Sequence, residues 1–412
     1  MDIFENASLG NVRLKNRIIR SATFEGAADR DGFPTAAYYR IFKKLAEGGV
    51  GAVITGFTYI SENGKAMQPG QAGSDSMEKL ESYQVIAGMM HQYDCKVFLQ
   101  IAHAGRQTVR SATGFQPVGA SEKKSAYFQE KPHVLTTEET YAIIDAFGNA
   151  ALLAQKAGLD GVQLHAAHGY LIHQFLQPAV NERTDEFAPD LLTGVGTVFL
   201  QKVIEAVRRK CGPDFPILVK VSASDDLNPH FSEEQFLHLV QFLDRMQVAG
   251  IEISYGTMDA AFNIFRGDIP EKLILRENGI YKHKSQLVKW FARRFVFPRL
   301  KKQFIPFQPM YNLPFAEMAR RVTHLPIIVV GGFRDGRQIR HAICDCGIDF
   351  VSLSRPLIAD PDFVNKLKED INHTSACVSC NRCAIMCDSS HPTRCYHHSR
   401  VASSTRKTVI KN

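Results

Sequence analysis

Residues 136–170 read TTEETYAIIDAFGNAALLAQKAGLDGVQLHAAHGY, a helix followed by a strand. Thr136 and Glu139 have capping-box spacing: the hydroxyl accepts from the third amide and the carboxylate reaches back to the first. Ile143, Phe147, Ala150 and Ala154 then recur at helical spacing and form one apolar stripe. Gly161–Ala166 is a short, mostly apolar run of the kind buried on both faces. It ends in His165, His168 and Tyr170, three protic groups within six residues.

The same unit recurs along the chain. Short apolar runs occur at Arg17–Thr23, Val50–Gly56, Lys96–Ile101, Gly161–Ala166, Pro216–Ser222, Gly250–Ser254, Ile327–Gly332 and Phe350–Arg355. Helix-length segments separate them, and Ser232 and Gln235 open one with a second capping box. Alternating strands and helices imply a parallel sheet, and eight units close it into a barrel. No Gly-x-Gly-x-x-Gly follows any of these runs, which speaks against an open dinucleotide-binding sheet. The expected fold is α/β, a (β/α)8 TIM barrel over residues 1–365. It carries a basic insertion between strands six and seven (256–320) and a cysteine-rich C-terminal extension (366–412).

At 412 residues, 45% hydrophobic and 22% charged, the composition suits a large apolar core. No run approaches the roughly 20 apolar residues that a membrane span needs, and the N-terminus lacks the pattern of an export signal. The expected location is the cytoplasm. The formal charge of +7 is concentrated: residues 256–321 hold 13 Lys/Arg against 5 Asp/Glu, leaving the rest of the chain at −1. That argues against a nucleic-acid-binding protein.

A barrel assembles its active site where the strands end. The first strand ends in Ser21-Ala22-Thr23, the second in Thr55-Gly56, and the third in Gln100 before His103-Ala104-Gly105-Arg106. The fourth carries His165, His168 and Tyr170, and the fifth Lys220. The seventh ends in Gly331-Gly332 and the eighth in Ser354-Arg355. Glycines that let backbone N–H groups approach an anion, next to an arginine, suit the phosphate site common after strands seven and eight; a plain tight turn is the other reading. Two imidazoles suit an oxyanion and a phenol suits proton delivery.

Taken together, Gly161-Val-Gln-Leu-His165-Ala-Ala-His168-Gly-Tyr170 through Pro178, Asn181-Glu-Arg183, Gln100-x-x-His103-Ala-Gly105-Arg106, Val330-Gly331-Gly332-Phe333 and Ser354-Arg355-Pro356 resemble the Old Yellow Enzyme family of flavin oxidoreductases. The resemblance implies an FMN at the barrel mouth, with NADH or NADPH as electron donor. Ser21, Ala22, Thr23, Gly56, Gln100 and Lys220 would hold its ring, and Gly331, Gly332, Ser354 and Arg355 its phosphate. His165 and His168 would bind the carbonyl oxygen of an unsaturated substrate, and Tyr170 would supply the proton. Lys220 stands where the family usually has Arg, His168 where many members have Asn, Ser354 where Gly is usual, and Ala188-Pro189 where Gly-Gly is usual.

Beyond the barrel, Cys377, Cys380, Cys383 and Cys395 make a four-thiolate pattern, with Cys387 as a spare. It resembles the iron–sulfur segment of the dienoyl-CoA reductase and trimethylamine dehydrogenase branch; the same set would also suit zinc. In that branch an electron-supplying domain follows the cluster. Three readings of the tail stay open: a separate electron-transfer protein as a partner beside the small unsaturated carbonyl substrate, a structural cluster, or thiols that bind no metal; a homo-oligomer is also left open. In the insertion, Lys289-Trp290-Phe291-Ala292-Arg293-Arg294-Phe295 alternates cations with aromatic residues. It reads as a solvated lid over the barrel mouth, with a membrane-surface or partner-binding helix as the alternative. The functional expectation is NAD(P)H-dependent reduction of an activated C=C bond. The alternatives are a flavin dehydrogenase of an amine or alcohol that passes electrons through a cluster, and an electron-relay subunit that docks a partner.

Overall fold

The computed structural model describes residues 1–279 and 281–397. Eight parallel strands close into a ring: β1 (Ile18–Arg20), β2 (Ala52–Ile54), β3 (Lys96–Ala102), β4 (Gly161–Ala166), β5 (Ile217–Ser222), β6 (Gly250–Ser254), β7 (Ile327–Val330) and β8 (Phe350–Leu353). Each pairs with its successor, and β8 returns to β1 through Val351↔Ile18 and Leu353↔Arg20. The eight expected runs are these strands, differing only at their ends. Both capping boxes form, at Thr136/Glu139 and Ser232/Gln235.

Strand periodicity sorts the side chains into two sets. Val97, Leu99, Val162, Leu164, Val219, Val221, Ile251 and Ile253 point out into the core shared with the helices. The alternate residues point into the barrel. At its floor, Ile19, Ile54, Phe98, Leu218, Ile328 and Phe350 pack together, closed from below by Leu9 and Leu14 of a hairpin formed by Ala7–Leu9 and Val12–Leu14. Two residues further along each strand the interior turns polar: Gln100 pairs across from Gln163, and Lys220 lies across from both His165 and Glu252. The barrel is thus an apolar plug capped by a buried polar layer at the strands' C-terminal ends.

Between β6 and β7 the chain leaves the barrel. Ala261–Phe265, Glu271–Glu277 and a continuous helical stretch from Gln286 to Lys301 with a π turn at Ala292–Val296 make up this excursion. It has its own small core of Ile274, Leu275, Ala292 and Phe297, completed by Ile385 from the C-terminal extension. The last helix before β7, Leu313–Arg320, sits inside the stretch read as insertion, yet its Leu313, Ala316 and Ala319 pack into the barrel's outer core. It is therefore a barrel helix, and the excursion proper ends just before it. No helix among the described residues is long and apolar enough to cross a membrane. Residues 398–412 of the cysteine-rich extension lie outside the described residues.

Candidate active site

The strand ends surround a cavity of about 280 Å³. Ser21, Ala22 and Thr23 follow β1, Gln100 lies in β3, His165, His168 and Tyr170 end β4, and Lys220 lies in β5; all of them line it. So do Gly331, Gly332, Ser354 and Arg355 after β7 and β8. Gly56, expected at the ring, is not among the residues that line the cavity. Its N–H donates to Glu25 Oε1 at 2.7 Å, and a Cβ there would fall 2.3 Å from the same carboxylate. The loop after β1 covers it, and the glycine makes room for that loop rather than for the cavity.

The floor of the cavity is the polar layer. Glu252 is fully buried and accepts from the hydroxyls of Ser21 and Ser352, each at 2.6 Å, and from Gln163 Nε2 at 2.8 Å. Lys220 Nζ lies 3.3 Å from Glu252 Oε2 and donates to Ser21 Oγ at 3.0 Å. Gln163 in turn accepts from Gln100 Nε2 at 2.7 Å. Burial pushes the Glu252 carboxyl up, but Lys220 and its three hydrogen-bond donors outweigh burial and hold it below the ordinary range. Gln100, Lys220 and Ser21 are therefore fixed by one network whose hub, Glu252, the sequence reading passed over.

Above the floor stand the β4 residues. The His165 ring lies 5.0 Å from that of His168 and 4.8 Å from that of Tyr170, centroid to centroid. His168 takes a left-handed backbone at φ +62°, and its N–H donates to Ser222 Oγ at 3.1 Å. Its Nε2 pairs with Ser254 Oγ at 2.8 Å, while Nδ1 of His165 is buried without a partner. Burial first, then Lys220 beside His165 and His165 beside His168, push both imidazoles well below their ordinary pKa, so both are neutral near pH 7. Burial raises the Tyr170 phenol and keeps its proton in place. Phe57 packs on Tyr170 at 5.1 Å between centroids. Neutral imidazoles and a protonated phenol on one wall suit hydrogen bonding to a carbonyl and proton donation.

At the ends of β7 and β8 the site is cationic. Gly331 and Gly332 have φ of +132° and +83°, and a Cβ on either would strike the returning end of the excursion, 2.6 Å from Tyr311 Cε2 or 2.5 Å from Met310 N. These glycines let that segment close against the strand end. Arg355 donates from Nη1 to Asn381 Oδ1 at 2.6 Å and to the Arg266 carbonyl at 2.8 Å. Arg334, which the sequence reading missed, also lines the cavity and is tied to Ser379 through its guanidinium. Its position directly after Gly331-Gly332-Phe333 was the available signal. Lys220 under the floor, paired arginines at β7 and β8, and an unpartnered buried imidazole nitrogen form a donor set that fits a flat, polar-edged ring carrying a phosphate.

Cys377, Cys380, Cys383 and Cys395 line a second, smaller cavity of about 20 Å³, together with Arg355, Asn381 and Tyr396. All carry free thiols. Among the described residues, no three His, Cys, Asp or Glu side chains stand in a metal-holding arrangement. Cys387 faces the larger cavity instead, with Cys377 and Cys383 also on its wall. The cysteine segment is thus part of the active-site enclosure.

With this geometry in view, the sequence profile of the NADH:flavin oxidoreductase / NADH oxidase family matches residues 2–266. The chain belongs to that family. The expected Old Yellow Enzyme likeness and barrel are borne out, and the flavin and nicotinamide of the family's name agree with the cofactors expected. Relatives include an NADH oxidase of Thermoanaerobacter brockii, 28% identical over 92% of this chain and 53% of that protein. A cinnamate reductase of Clostridium sporogenes is 28% identical over 92% of this chain and 54% of that one. The chain therefore spans about half the length of these two. A 4,4'-dithiodibutanoate disulfide reductase of Rhodococcus erythropolis, 27% identical, is covered over 92% of both chains. Among solved structures, a 2-naphthoyl-CoA reductase complex shares the fold at a TM-score of 0.79 and 21% identity, over 95% of this chain and 56% of that one.

Proposed function

We propose that this chain binds FMN in the barrel-mouth cavity and reduces an activated C=C bond, such as that of an enone, enoate or enoyl thioester, at the expense of NADH or NADPH. The observation that carries this reading is the wall formed by His165, His168 and Tyr170, opposite a cavity whose cationic groups lie at β5, β7 and β8. A cinnamate reductase among the relatives supports the substrate class.

When bound, FMN supplies hydride transfer between the nicotinamide and the substrate carbon. Lys220, Gln100 and Ser21 would hold its polar ring edge, and Gly331, Gly332, Arg334, Ser354 and Arg355 its phosphate. His165 and His168 donate N–H to the substrate carbonyl as neutral imidazoles and draw charge away from the double bond. Tyr170 holds the proton that its oxygen delivers to the carbon next to the carbonyl. Phe57 and Met258 exclude water from that wall. Cys377, Cys380, Cys383 and Cys395 line one cavity, which favours a shared ligand there, a [4Fe–4S] cluster that would supply one-electron chemistry or a zinc ion; as placed, they do not stand in a metal-holding arrangement, so binding would require them to draw together.

A second reading, a flavin dehydrogenase passing electrons to a separate protein through such a cluster, rests on Cys377 and Cys383 bordering both cavities. One absorption experiment separates the two. Protein purified without oxygen is expected to show a flavin spectrum that bleaches on adding NADPH or NADH and returns on adding an enone. A flavin that ignores both nucleotides but bleaches with an amine or alcohol selects the second reading, and a colourless protein overturns both.

A further inference from the structure

The excursion between β6 and β7 presents a surface that the catalytic reading does not use. From Tyr281 to Phe304 it carries eight Lys/Arg and no Asp or Glu. The helical stretch from Gln286 to Lys301 turns Ala292 and Phe297 inward to its small core. Outward it presents Leu287 at 75% exposure, Trp290 at 58% and Phe291 at 54%, with Val288 and Phe295 beside them. Leu287, Phe291 and Phe295 follow one another at four-residue spacing, and Trp290 packs edge-on to Phe295 at 6.1 Å. Single exposed apolar residues are ordinary; five large ones contiguous on one helix face are not.

We propose that this face docks on an anionic lipid surface. An outward apolar stripe bordered by lysines and arginines is the pattern of a helix lying in the bilayer interface, where indole and phenyl rings sit at headgroup depth. Long cationic side chains reach from such a helix to lipid phosphates, and each strengthens the attraction to an anionic leaflet. A second copy of the chain is disfavoured as the occupant, because a two-fold contact would set the same cationic segment against itself. Nucleic acid would leave Leu287, Val288 and the rings uncovered. The ends of the same excursion supply Phe265, Phe307 and Tyr311 to the cavity wall, so lipid docking would bring the mouth close to the bilayer.

Trp290 is the only tryptophan in the chain, so its emission reports this face alone. The full-length, flavin-loaded protein is mixed with vesicles of phosphatidylcholine containing about one third phosphatidylserine, or of phosphatidylcholine alone. Expected are co-sedimentation with the anionic vesicles and a blue shift of Trp290 emission, both weakened by salt. Arg293→Glu with Arg294→Glu should reduce binding by about tenfold or more. Phe291→Ser with Phe295→Ser should reduce it as well, with enzyme activity and thermal melting unchanged. The proposal is overturned by vesicle mixing without co-sedimentation, by equal binding to both lipids, or by an emission shift that tracks protein concentration instead of lipid. A shift with soluble polyglutamate but not with vesicles also overturns it and assigns the face to an acidic protein.

Discussion

Lys220 Nζ and Glu252 Oε2 stand 3.3 Å apart beneath the cavity, on neighbouring strands, with almost no solvent contact. A buried pair of this kind contributes little net stability, but removing one partner strands a charge in a low-dielectric interior. Glu252→Leu is therefore expected to lower unfolding free energy by about 3–5 kcal/mol in urea titrations. Glu252→Leu with Lys220→Met should recover most of the loss. The wild-type carboxyl sits below its ordinary pKa, so its contribution is present at neutral pH and lost as pH falls through that value. The gap between wild type and Glu252→Leu should accordingly narrow in acid; a gap independent of pH would remove the charge argument.

Tyr170→Phe keeps the ring that packs on Phe57 and His165 and removes the only phenolic proton on that wall. Stopped-flow traces should show flavin reduction by the nicotinamide unchanged. Reoxidation by an enone should slow by about 10²–10⁴-fold. Equal rates in both half-reactions would assign the proton to another group.

Glu25 accepts from the Gly56 amide and is buried, and burial outweighs that bond and Arg20 in raising its pKa to about 7. A carboxyl raised in the folded state contributes stability that is full below its unfolded pKa and is lost as pH rises through the folded value. The wild type should thus lose about 3 kcal/mol between roughly pH 4.5 and 7 from this group alone. Glu25→Gln keeps an acceptor for Gly56 and removes the titration. The difference in melting temperature between the two proteins should change across that window and level off above it; a constant difference would show that Glu25 does not titrate there.

The barrel was legible because each strand is a short apolar run ended by a glycine or a polar residue, and because Thr136/Glu139 and Ser232/Gln235 mark helix starts by chemistry alone. The rim was legible for a related reason: His165, Tyr170 and Arg355 are polar residues where a strand stops. What stayed hidden lies one layer down. Glu252 sits in Gly250–Ser254 between two isoleucines, and nothing local distinguishes an inward carboxylate that meets Lys220 from a defect in the run. Its meaning depends on strand register across the ring, which no single segment encodes. Gly56 carries a second reason for being a glycine that its own segment does not reveal: a Cβ there would strike the Glu25 carboxylate from the loop after β1. The reading of 256–320 as one insertion ran past Leu313–Arg320, because the cationic stretch upstream masks the return of barrel periodicity.

Arg355 bonds to Asn381 inside the cysteine segment while its side chain also borders the main cavity. The two chambers therefore share a wall. If filling or oxidising the thiol chamber moved Arg355, the hold on a molecule at the barrel mouth would change, and reciprocity would require that molecule to change the thiols' hold on their own ligand by the same factor. A chelator or a mild thiol oxidant would then behave toward this enzyme as an effector of flavin retention, acting from behind the partition.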